Sequence, residues 1–150
     1  MTAPRRRGVR HAVLAFLLCA SGAVAMSAQA TLPIRTVEKG ASSNVDAAKQ
    51  AVARTDAEWA ALWKTHDYDR PAPKIDFGKE MIVVVFMGSR PTAGFSTEIV
   101  SVAERDGGLV VGYREAMPPS GAITAQILTS PYHIAAVPKH AGDVKFQKAP

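Results

Sequence analysis

Arg90-Pro91-Thr92-Ala93-Gly94-Phe95 is the stretch whose residue types and spacing best suit chemistry, and that chemistry is recognition. Arg90 offers a planar fork of donors to a carboxylate or to backbone carbonyls, and Phe95 offers an apolar anchor. Pro91 fixes one backbone torsion, Gly94 can take a positive φ, and the Thr92 hydroxyl can close a turn. The stretch therefore reads as a stiff loop. A loop already in its bound shape loses little entropy when a partner docks. It holds no nucleophile paired with a base.

Bond-breaking chemistry has weaker support elsewhere. Ser89 lacks the flanking glycines of a nucleophile elbow. Ser130, His133 and Asp143 supply the letters of a triad, without a motif to bring them together. His66, His133 and His140 lack the paired helical spacing of zinc ligands, and His133 alternates with Ala135 and Val137 as a residue on a sheet face does. Gly107-Gly108 is followed by no helix whose N-terminus could take a phosphate. Glu98, Glu104 and Glu115 are spread along strand-like stretches as solvated faces. No cofactor or metal is expected.

The loop must be held by the elements on either side. Residues 81–87 (MIVVVFM) form an unbroken apolar run, as in a central strand covered on both faces. Residues 96–103 read as the next strand, and Asp106-Gly107-Gly108 as the tight turn of a hairpin with residues 109–113. Met117-Pro118-Pro119-Ser120-Gly121 is a second, proline-stiffened turn. Ile123, Ala125 and Ile127 then alternate with polar residues as a half-buried strand does. Tyr132, Ile134 and Ala136 repeat the pattern, and Val144 and Phe146 predict a short last strand. Upstream, Thr55-x-x-Glu58 is a capping box, followed by Trp59, Leu62, Trp63 and His66 at helical spacing. This predicts a helix from Asp56 to about His66, with the two tryptophans packed in the core. Lys49 to Arg54 is ambiguous between strand and helix. Residues 31–45 read as an irregular segment.

The N-terminus reads as an export signal. Arg5, Arg6, Arg7 and Arg10 precede a short apolar core at 12–20, and Ala28-Gln29-Ala30 is a cleavage pattern, with Ala23-Val24-Ala25 as a second one. Residues 1–30 are thus expected to be removed. Leu18 before Cys19 argues against lipidation there. The chain carries 18 Lys+Arg and 13 Asp+Glu. Removing those four arginines leaves 14 − 13, or +1, so the basic character belongs to the leader and no nucleic-acid partner is implied. Cys19 is the only cysteine, so the exported form would have no disulfide. It would also have no membrane-spanning segment.

Residues 81–95, then Pro118-Pro119-Ser120-Gly121, Gln126 to His133 and Val137-Pro138-Lys139, resemble the C-terminal domain of the protease-complex-subunit PrcB family. The resemblance covers about residues 81–140, and the Trp59–Trp63 helix resembles the segment that often precedes it. The family loop usually reads R-P-T-G-G-Y, whereas this chain has Ala93 and Phe95. The resemblance implies an exported bacterial accessory protein associated with a surface protease. Without the family's frequent lipid anchor, it implies a periplasmic or secreted form. The string 91–95 is also similar to the N-P-T-T-G-[YF] loop of chagasin-type inhibitors, β-sandwich proteins that plug cysteine-protease clefts, a likeness confined to one loop.

The sequence reading is therefore one α+β domain over residues 46–150, mainly antiparallel, with about six strands arranged as a sheet or sandwich and one N-terminal helix packed on it. The expected role is a non-enzymatic exported protein that binds another protein, a protease by resemblance, through the 88–96 loop. Ser130-Pro131-Tyr132-His133 is a second candidate contact. The competing readings are a small cell-envelope hydrolase, a chagasin-like inhibitor and a purely structural envelope module.

Overall fold

The chain's structure, a computed structural model, describes residues 30–150. The expected leader lies outside the described residues except for Ala30. In chain order the elements are β1 (Arg35–Gly40), β2 (Lys49–Ala53), α1 (Asp56–His66), β3 (Glu80–Phe86), β4 (Ser96–Arg105), β5 (Gly108–Ala116), β6 (Tyr132–Pro138) and β7 (Val144–Lys148).

The apolar run forms β3, and it is covered on both faces as its composition requires. One sheet has the order β1-β6-β3-β2 and is antiparallel throughout. The other has the order β4-β5-β7, with β5 and β7 parallel. Alternate side chains of β3 and β6 feed two separate cores. Ile82, Val84, Phe86, Tyr132, Ile134 and Ala136 pack with Trp59 and Trp63 under the helix. Met81, Val83, Val85, Ala135 and Val137 pack with Ile99, Val102, Leu109, Val111 and Tyr113 of the second sheet. The result is three layers: helix, four-stranded sheet, three-stranded sheet.

The helix begins and ends where its caps dictate. Thr55 Oγ1 accepts from the Glu58 amide at 3.2 Å, and Glu58 Oε2 reaches back to the Arg54 amide at 2.6 Å. Both indole N–H groups donate to backbone carbonyls of the following loop: Trp59 to Pro73 and Trp63 to Arg70, each at 2.8 Å. With every polar atom used and both rings 3 % exposed, the tryptophans are core and not a ligand box.

The structure departs from the sequence reading in three places. Residues 31–45 are not irregular throughout. They contain β1, bulged between Thr36 and Glu38, and Thr31 bridges to Ala103, so this segment ties the two sheets together. There are seven strands rather than six, and Lys49–Ala53 takes the strand option because β3 needs a partner on that side. The strand expected over 123–127 does not form. Its alternation has the right period, but both neighbours of β3 are already taken by β2 and β6, so Ile123 and Ile127 have no sheet to be buried against.

Candidate functional site: the 88–95 loop and its flanking arm

The chain leaves β3 through Gly88, whose φ is 79° and whose α-carbon lies against the backbone of residues 46–48. An added Cβ would stand 2.7 Å from the Ala48 amide nitrogen. Only glycine fits there. Ser89 continues the clamp, its amide donating to the Asp46 carbonyl at 2.9 Å and its hydroxyl to the Asp46 carboxylate at 2.8 Å. Arg90 and Thr129 then exchange two backbone hydrogen bonds, at 2.7 and 2.9 Å. The Thr129 hydroxyl donates to the Thr92 carbonyl at 3.0 Å, and the Ala93 amide to the Ala125 carbonyl at 3.0 Å. Gly94 turns with φ 94°, where a side chain would strike Pro118. The loop is thus held from both sides, by residues 46–48 and by residues 118–131.

Six residues of this loop were expected to meet a partner. Pro91 and Gly94 are exposed, and Arg90, Thr92, Ala93 and Phe95 are half-buried. The Thr92 hydroxyl donates to the Ala93 carbonyl at 3.1 Å, closing a turn as its residue type predicts. Arg90 donates to the carbonyl of Ser89 at 3.0 Å and forms no ion pair among the described residues.

The segment from β5 to β6 runs back beside this loop as an irregular arm, and it carries a surface that periodicity alone did not reveal. Met117 is 74 %, Ile123 103 %, Ile127 57 % and Leu128 72 % exposed. These are four of the six exposed large apolar side chains among the described residues, gathered on one segment. No charged residue occurs from Ala116 to Leu128. That lack of charge was the available signal, and the strand-like alternation obscured it. Concentrated apolar exposure of this kind marks an interaction surface more often than chance.

Ser130, Pro131, Tyr132 and His133, the second candidate contact, are buried. They support the loop from beneath: the Pro131 carbonyl accepts from Met87 at 2.8 Å, and Ser130 donates to the Ala41 carbonyl at 2.8 Å. His133 joins the two sheets. Its Nδ1 accepts from the Ile99 amide at 2.8 Å, and its Nε2 lies 2.9 Å from the Thr36 hydroxyl. The Ile99 amide, a donor only, fixes the neutral tautomer with the proton on Nε2. Both ring nitrogens are therefore committed, and neither is left to serve Ser130 or Asp143 as a base. The histidines sit in separate environments, and no cluster of three or more metal-ligating side chains occurs among the described residues. No helix among them is long and apolar enough to cross a membrane.

A second polar cluster escaped the sequence reading. His66, at the end of α1 and 2 % exposed, places Nδ1 2.9 Å from Ser43 Oγ and Nε2 3.6 Å from Glu38 Oε2. The facing nitrogen and oxygen are both buried without a hydrogen-bond partner. Arg70 holds the other oxygen of Glu38 at 2.8 Å and lies over the Trp63 ring, 5.5 Å from its centroid. Tyr132 and Phe86 close the histidine in aromatic walls. Burial beside Glu38 pushes the Tyr132 hydroxyl up to about 12. These contacts seat the helix end on the sheet.

Burial holds both His66 and His133 below the ordinary imidazole value of 6.5, outweighing Glu38 beside the first and, together with Lys39, outweighing Glu98 beside the second. A depressed histidine takes up its proton more readily unfolded than folded. Its share of stability is complete above about 6.5 and declines as the pH falls below that value. Each imidazole can impose a slope of up to about 1.4 kcal/mol per pH unit in that window. Asp67 and Glu98, lowered by Arg70 and Lys39 respectively, weaken only in more acidic solution. Thermal melts across pH 7.5 to 5, in roughly half-unit steps, should show a falling midpoint that begins near pH 6.5. A flat profile over that range would rule out the neutral buried histidines.

Fold and loop together define a helix-backed β-sandwich that presents a clamped loop between β3 and β4. Residues 81–138 match the family model described as PrcB C-terminal, in agreement with the resemblance seen in the sequence. The match runs from β3 through β6 and takes in both the loop and the arm, while β1, β2, α1 and β7 lie outside it. No curated protein and no solved structure matches the chain.

Proposed function

We propose that this chain is an exported, non-enzymatic accessory protein that binds another protein through the 88–96 loop. The match over residues 81–138 supports a protease, or a subunit of a protease complex, as that partner. The observation that carries the reading is the coincidence of a rigid loop, an uncompensated Arg90 and an apolar arm bonded to the loop's flank. Pre-formed shape, a cation and apolar anchors are the ingredients of an interface hot spot. A hydrolase reading would need an accessible nucleophile with a free base beside it; His133 offers none, and His66 beside Ser43 is 2 % exposed and walled in by aromatic rings. Its action in the periplasm or outside the cell belongs to the same proposal and rests on the leader expected over residues 1–30.

The test is a double substitution, Arg90→Ala with Thr92→Ala, used in capture from envelope extract and then in titration against the purified partner. Partner affinity should fall about tenfold or more, the loss of at least one charge-assisted contact. The melting midpoint should move by no more than a degree or two, because neither side chain enters a core. Full affinity in the double variant would reduce the loop to a connector.

A further inference from the structure

The arm beside the loop is short of backbone partners. Among the described residues the amides of Ile123, Thr124, Ala125, Gln126, Ile127 and Leu128 donate to nothing in the chain, and of their carbonyls only Ala125 and Thr124 accept a bond, the latter from the Gln126 side chain. Two anchors, Arg90 with Thr129 and Ala93 with Ala125, fix the arm antiparallel to the loop. The Ala125 carbonyl is turned to the loop, and in an extended arm the backbone groups of Thr124 and Gln126 would point the other way. An uncharged six-residue stretch, ITAQIL, with β-branched residues, no proline and unpaired backbone groups, is what proteins normally cover or interrupt with charge. Here it is left open.

We propose that residues 123–128 form a strand-addition site, on which an extended segment of the bound protein pairs its backbone with this edge. The inference rests on the proposed binding role and states how the partner is held. Backbone pairing would supply affinity, and Ile123, Ile127 and Leu128 would select alternating apolar side chains. Hydrocarbon is a poor occupant, because it would strip water from the free amides and return no acceptor. A second copy is also disfavoured. Its arm from Ala116 to Leu128 holds no acid, so self-pairing would leave Arg90, at the Thr129 end, without a counter-charge. The complementary ligand is a peptide strand with apolar residues at every second position and a carboxylate at the end that meets Arg90.

The probe is a fluorescein-labelled peptide of alternating valine and threonine ending in aspartate, titrated by anisotropy and followed by amide hydrogen exchange. Pairing in extended form should slow exchange at Thr124 and Gln126 more than at Ala125, whose carbonyl is already bonded to the loop. Gln126→Pro removes an outward donor and should weaken the peptide tenfold or more with the melting midpoint unchanged. A lysine-ended peptide should bind more weakly than the aspartate-ended one. No protection of the arm at millimolar peptide would overturn the proposal. So would partner binding that is lost in the Arg90 and Thr92 variant yet untouched by Gln126→Pro, and in that case the loop reading itself survives. Concentration-dependent dimerisation abolished by Gln126→Pro would reassign the edge to a second copy. Binding to phosphatidylglycerol vesicles that survives Gln126→Pro would assign the arm to a membrane.

Discussion

Replacing Trp59 and Trp63 together with alanine is expected to unfold the protein. Each ring is 3 % exposed, and the pair meets edge to face with centroids 5.2 Å apart. Truncating one buried aromatic side chain typically costs about 3–5 kcal/mol. Two such losses rival the whole stability of a domain, about 5–15 kcal/mol. The cost extends beyond volume, because the carbonyls of Pro73 and Arg70 lose their indole donors and the loop after α1 loses its anchorage. Circular dichroism and thermal melts of the double variant decide the matter. A cooperative melt near the parent midpoint would show that the helix is an accessory to the sandwich, and the three-layer account would then be wrong.

The second large effect belongs to His133. His133→Leu fills the position with an apolar side chain of similar size, but it leaves the Ile99 amide buried without an acceptor and the Thr36 hydroxyl without its nitrogen partner. Leaving a buried donor unpaired costs about 1–3 kcal/mol, and a second broken bond brings the expected loss to about 3 kcal/mol. The effect should appear as a lower urea midpoint with an unchanged slope, since the same surface is exposed on unfolding. The variant should also lose most of the stability slope between pH 6.5 and 5 that this histidine contributes. A midpoint within the parent's error would mean that water or a shifted β4 backbone replaces the imidazole.

The bulge in β4 explains why this histidine is needed. The register slips between Ile99 and Ser101, which leaves the Ile99 amide facing the other sheet. A ladder that skips one residue must find another acceptor for the amide it releases. The sequence marks neither the slip nor its remedy. His133 had only the signature of a residue on a sheet face, and the structure supplies the two partners that make it a staple between sheets.

Elements whose signals are local were legible in the residues. The capping box and the 3.6-residue spacing placed α1 at Asp56–His66 because both the caps and the apolar stripe lie within one short segment. The Asp106-Gly107 turn and the apolar run at 81–87 were legible for the same reason, and Pro91, Thr92 and Gly94 marked a shaped loop before any contact was known, whereas the need for glycine at 88 came only from the structure. What the residues could not decide was who pairs with whom. Residues 35–40 become a strand only because β6 has an edge to offer, whereas residues 123–127, with a cleaner alternation, stay outside both sheets because no edge is left beside β3. The burial of Ser130 to His133, the meeting of Glu38, Ser43 and His66, and the exposed apolar arm follow from that pairing. Periodicity states which face of a segment wants burial, and only the assembled sheets determine whether there is anything to bury it against.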